Sequence, residues 1–163
     1  MTLARRSPGE AGAQHGGSRS TRGTAARTAG GRLEAVTADP HAVTLAVAAA
    51  HAASEKLAED VVAIDVSNHL VLTDVFLLCS AANDRAVRAV VDGIEEALAK
   101  VGAKPVRREG ESEGRWVLLD YNEIVVHVQQ NEERVHYALE RLWRDCPLID
   151  LPEEVNRPRT AAQ

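Results

Sequence analysis

The stretch WVLLDYNEIVVHV, residues 116–128, limits the fold more than any other part of the chain. Two apolar segments, 115–120 and 124–128, sit so close together that only a tight hairpin through Tyr121 and Asn122 can join them. With a side-chain period of two, Trp116, Leu118 and Asp120 share one face, and Val117, Leu119 and Tyr121 share the other. Any fold that contains this hairpin has an antiparallel pair. Because the run is apolar on both faces, it is either core throughout or core on one face and a docking surface on the other.

The remaining elements arrange themselves around it. Residues 61–65 and 75–80 are short, continuous apolar runs of the kind that form strands buried on both faces. Pro105 marks 105–108 as a short edge strand, and 109–114 is a polar loop rich in Glu and Gly. Asp39 followed by Pro40 opens a helix reaching to about residue 60, with Val43, Val47, Ala50, Ala53 and Leu57 as its stripe. Asn83 caps a second helix whose stripe is Val87, Val90, Val91, Ile94, Leu98 and Val101, ended by Gly102. Asn131 is placed to cap a third, with Val135, Ala138, Leu139 and Leu142 on one face.

The order helix, strand, strand, helix, strand, strand, strand, helix predicts an α/β (α+β) domain over residues 39–147. It has a mixed sheet of about five strands packed with three helices. The Asn83 helix supplies the crossover that a parallel pair requires. Residues 148–163 read as a flexible C-terminal tail.

Residues 1–38 have no large apolar side chain between Leu3 and Leu33, so they cannot bury enough surface to fold and read as a disordered basic leader. Three roles fit it: an inert extension with the true start near Val36, a transit peptide, or a basic arm touching RNA. The chain's 16 Arg against three Lys suggest a GC-rich bacterial coding bias, which favours the first. Six Arg and one Glu fall in residues 1–32, so the rest of a chain of total charge −5 carries about −10. An acidic body repels nucleic-acid phosphates and suits a basic protein surface, which argues against DNA as a partner. No apolar run approaches the roughly 20 residues needed to cross a bilayer. Cys79 and Cys146 fit no metal spacing and read as two thiols in a reducing compartment.

Chemistry is hard to place on these residues. No glycine-rich loop follows a strand and leads into Lys-Ser/Thr. Ser80, His127 and Asp120 could form a hydrolase triad on paper, but Ser80 lacks the G-x-S-x-G context. His127 and His136 lack a third metal ligand, so His127 reads as a hydrogen-bonded or partner-facing histidine. Asp120 and Glu123 flank a turn, where carboxylates collect for solvation alone. A nucleotidyltransferase holds its two metal ions with paired carboxylates on alternate positions of one strand, and after Asp120 that position is Asn122. The expectation is therefore no catalytic residue, no cofactor and no metal. Trp and Tyr at the end of a hairpin are a common composition for an interface anchor.

Several ordered blocks resemble the ribosomal silencing factors, the RsfS or Iojap-like family, over residues 40–147. They are Ala63-Ile64-Asp65-Val66, Thr73-Asp74-Val75-Phe76-Leu77-Leu78, Asn83-Asp84-Arg85-Ala86-Val87 and Arg108-Glu109-Gly110. Then follow Gly114 through Tyr121, Ile124 through Val128, and Tyr137 through Trp143. The chain departs from the family's pattern at Asn122-Glu123, where Gly-Asp is usual, and at Ser80-Ala81, where Ser-Gly is frequent.

The resemblance implies a nucleotidyltransferase-like fold without its active site and a translation repressor rather than an enzyme. It implies binding to the large ribosomal subunit through ribosomal protein number fourteen, which blocks joining of the small subunit when nutrients are short. The anchor residues it points to are Trp116, Leu118, Leu119, Asp120 and Tyr121. It further implies a bacterial cytoplasmic location and is compatible with a homodimer off the ribosome. Two alternatives stay open: a large-subunit assembly factor, and a divergent nucleotidyltransferase using Asp65, Asp74 or Asp120.

Overall fold

The computed structural model describes residues 25–27 and 33–158. The expectation for the leader therefore falls largely outside the described residues. Within it, β1 (Ala25–Arg27) and β2 (Leu33–Ala35) pair antiparallel.

Helix α1 (Pro40–Glu55) starts as expected, with the Asp39 carboxylate accepting the His41 N–H at 2.8 Å and Pro40 in the first turn. Its buried face matches the expected stripe only at Ala50 and Ala53. Ala42, Leu45, Ala46, Ala49, Ala50 and Ala53 point inward, while Leu57 lies past the helix end, exposed, at φ +66°. Alanines on the inner side let the helix approach the sheet and its neighbour closely, so the larger Val43 and Val47 are left at the margins.

The second helix, α2 (Asp84–Lys100), follows the expected stripe through Val87, Val90, Val91, Ile94 and Leu98, with Asn83 accepting the Ala86 N–H at 2.8 Å. Val101 departs from that stripe. It sits at the C-cap and is exposed, because the helix has already ended at Lys100.

The main sheet contains β3 (Glu59–Asp65), β4 (Val75–Ala81), β5 (Arg107–Glu109), β6 (Trp116–Asp120), β7 (Ile124–Gln130) and β8 (Leu148–Ile149), in the order β5-β6-β7-β4-β3-β8. Only β4 and β7 run parallel, the pair that the α2 crossover permits. The hairpin forms between β6 and β7 with Leu118 opposite His127. Its turn works because Asn122 adopts the left-handed conformation, φ +66°, and donates its N–H to the Asp120 carboxylate at 2.8 Å.

Besides β1 and β2, one strand of the main sheet was not anticipated. β8 pairs with β3, and Asn156 then uses its side-chain amide like a strand residue, accepting from Val61 N at 2.9 Å and donating to Val61 O at 2.8 Å. Ile149 and Val155 are buried. Residues 148–158 are thus a bound edge of the sheet rather than a loose tail. An unpaired β3 edge supplies the driving force, since its backbone groups need partners.

The third expected helix is also different. β7 continues to Gln130, whose N–H bonds to Arg115 O at 2.8 Å, so the following α3 (Asn131–Tyr137) has Gln130 as N-cap with no side-chain cap bond. Asn131 is therefore inside the helix and caps nothing. Ala138, at φ +43°, breaks the helix, and α4 (Leu139–Leu142) follows as a separate short helix. The break throws Val135 and Leu142 outward, 80% and 74% exposed, instead of aligning them on one buried face.

The two faces of the sheet are unequal. On one, α1 and α2 bury Val61, Ala63, Val75, Leu77, Val117, Leu119, Ile124, Val126 and Val128. On the other, the short α3 and α4 with Cys146, Trp143 and Leu139 cover only Ile64, Leu78 and their surroundings.

Candidate functional site

The incompletely covered face carries an aromatic cluster. Alternation along β6 turns Trp116, Leu118 and Asp120 toward it, all half-buried, and sends Val117 and Leu119 into the core. Across the strands, β4 contributes Phe76 and β7 contributes His127. The Trp116 ring lies 4.8 Å from that of Tyr137 on α3 and 5.9 Å from that of His127. Phe76 meets His127 edge-on at 5.2 Å and Trp143 edge-on at 5.2 Å. His69, in the β3–β4 connection, touches Trp143 at 6.0 Å. Such edge-to-face pairs add about 0.5–1.5 kcal/mol each beyond area burial, so these rings hold one another in place.

Of the residues expected to meet a partner, the structure brings Trp116, Leu118 and Asp120 together. It does not bring Leu119 and Tyr121 to them. Leu119 is fully buried beneath the helices, and Tyr121 packs in the same core, where burial pushes its hydroxyl up to about 12. Asp120 is partly occupied already: Arg107 lies 3.6 Å from its carboxylate, besides the bond from Asn122. Sequence reasoning missed Phe76, Tyr137 and Trp143 as members of the face. Phe76 sits in a run that is apolar on both faces, so alternation did not single it out, and nothing local showed that the chain would break at Ala138 between Tyr137 and Trp143.

The carboxylates weighed for nucleotidyl transfer have structural employment. Asp65, buried, accepts four hydrogen bonds: Thr37 N at 2.7 Å, Ala38 N at 3.0 Å, Ser67 N at 3.0 Å and Ser67 Oγ at 2.6 Å. It thereby ties the approach to α1 to the β3–β4 turn. Asp74 accepts from Asp39 N at 2.7 Å. Glu123 pairs with His41 Nδ1 at 2.6 Å, and this bond holds the His41 pKa above its usual value. Among the described residues, no group of three or more His, Cys, Asp or Glu is arranged to hold a metal. No disulfide joins Cys79 and Cys146, and burial pushes the Cys79 thiol up to about 12.

Residues 39–163 match the family model described as "Ribosomal silencing factor during starvation" (RsfS). The chain belongs to the RsfS family. A "Ribosomal silencing factor RsfS" from Bacillus subtilis is 40% identical over 109 residues, covering 67% of this chain and 92% of that protein. A solved structure from Bacillus halodurans superposes with a TM-score of 0.58 at 34% identity, covering 69% of this chain and all (100%) of that one. A more distant relative is the mouse "Mitochondrial assembly of ribosomal large subunit protein 1". It is 28% identical over 89 residues, covering 53% of this chain and 39% of its own length. RsfS membership agrees with the mixed sheet and with the ordered blocks that suggested the family. Among the described residues, no helix of this RsfS chain is long and apolar enough to cross a membrane.

Proposed function

We propose that this protein represses translation by occupying the large ribosomal subunit, in the bacterial cytoplasm, so that the small subunit cannot join. The contact is with ribosomal protein number fourteen, and the protein acts as a steric block rather than an enzyme. The observation that carries this reading is the half-open aromatic face around Trp116 on a chain of the RsfS family. Trp116 and Leu118 form the desolvated anchor, flanked by Tyr137, with Phe76 behind His127 in the same cluster. Asp120 supplies charge at the rim, where a cationic partner side chain shares it with Arg107 or displaces that arginine. The acidic body complements a basic ribosomal protein. Off the ribosome, the same face pairs with a second copy.

Sedimentation of the purified protein with separated subunits tests the proposal. Trp116→Ala, shown folded by its circular dichroism, should weaken binding to large subunits by about 2 kcal/mol or more, as expected of a buried interface tryptophan. Undiminished co-sedimentation of that variant would remove the anchor role. A second reading, a factor for assembling the large subunit, is favoured by the name of the mouse relative. Accumulation of precursor subunits in a deletion strain, without any effect on subunit joining in vitro, would select it.

A further inference from the structure

We infer that His127 is a positioning residue for docking: it holds the Trp116 indole in the pose that meets the partner. This rests on the docking reading above and adds a residue to it. Trp116 Nε1 lies 3.2 Å from His127 Nδ1, across the diagonal between β6 and β7. An indole nitrogen only donates, so Nδ1 accepts and the ring proton of the neutral imidazole sits on Nε2. The histidine itself cannot swing. It is buried, its ring is met edge-on by Phe76, and it stands between Leu78 and Leu118 on neighbouring strands.

Among the described residues, the other ring packed on Trp116 is that of Tyr137, which is 48% exposed and lies on the last turn of the short α3, just before the Ala138 break. The rigid support for the indole therefore comes from the sheet, through one hydrogen bond. A half-exposed tryptophan without it can turn about its side-chain torsions. Binding would then bear the cost of ordering the ring.

The substitutions that separate this role from packing are His127→Asn and His127→Gln. The asparagine oxygen reaches the position of Nδ1, whereas glutamine carries its amide out toward the position of Nε2. Two readouts are needed. In the free protein, the Trp116 indole N–H resonance and its solvent exchange report the bond directly, with Trp143 as internal control. In sedimentation, affinity for separated large subunits reports docking.

We expect His127→Asn to keep the indole resonance protected and to bind within about threefold of the parent. His127→Gln should shift and deprotect the resonance and lose about tenfold in affinity, the size of one lost hydrogen bond. His127→Leu, if folded, should match the glutamine variant. An unchanged indole signal in His127→Gln would overturn the inference. So would a disturbed signal with parental affinity while Trp116→Ala still loses binding, and in that case the docking reading survives. If Trp116→Ala also binds as the parent does, both fall together.

Discussion

At the scale of single residues, His127 connects the core to solution conditions. Burial, and secondarily the nearby Arg134 on α3, lowers its pKa from 6.5 to about 4. The other side chains packed on it, Phe76 from β4 and Trp116 from β6, carry no charge. Between pH 6.5 and 4 the unfolded chain binds a proton on this ring that the folded chain does not. Stability therefore rises with pH across this window; it is fully present above about 6.5 and lost as pH falls toward 4. The full shift corresponds to about 3 kcal/mol. Urea titrations at pH 7 and pH 4.5 should show a fall in stability, and His127→Asn should flatten part of that difference. An equal slope in parent and variant would assign the acid sensitivity to other groups. The same protonation puts a hydrogen on Nδ1, so acid also opposes the bond to Trp116.

At the scale of elements, the Glu-rich loop ahead of β6 is more constrained than its polarity suggests. Gly110 has φ +81°, and a Cβ placed there would lie 1.9 Å from the Trp116 carbonyl oxygen. The loop backbone thus folds flat against the strand that carries the docking tryptophan, and Gly114 N closes it onto Gly110 O at 3.1 Å. Gly110→Ala has to move backbone rather than a flexible side chain and also adopt a positive φ. Its cost should be about 2–4 kcal/mol, read as a drop in thermal midpoint, with loss of large-subunit binding even below that midpoint. A variant as stable as the parent would show that the loop and β6 are uncoupled. Elements like this mark the limit of what the chain reveals as a sequence. The hairpin, the Asn83 cap and the α2 stripe were legible because local pattern and tertiary role agree there. The inner face of α1 was not, since an alanine-rich helix reads alike on several sides and only the closeness of the sheet chooses among them. The break at Ala138 and the edge strand β8 were also hidden. Alanine has no propensity for the left-handed region, and a two-residue strand is specified by the open edge of β3 rather than by its own residues.

At the scale of the molecule, the sheet separates two tasks. One face is closed by α1 and α2 and supplies stability, while the other leaves an aromatic cluster half-open within a body of charge about −10. These two properties act on different steps of association. Net charge attracts a basic partner from beyond contact distance and is screened over about 8 Å at physiological ionic strength, so it governs the encounter. The rings around Trp116 act only once water is expelled, so they govern dissociation. Raising salt from about 50 to 500 mM should slow association with isolated ribosomal protein number fourteen by about tenfold or more, with dissociation changed by less than about threefold. Trp116→Ala should do the reverse, accelerating dissociation at an almost constant association rate. Stopped-flow mixing that follows intrinsic tryptophan fluorescence, from Trp116 and Trp143 in the parent and from Trp143 alone in the variant, resolves both rates. Association indifferent to salt would mean that the acidic body plays no part in finding the partner, and that contact between the apolar faces alone brings the two together.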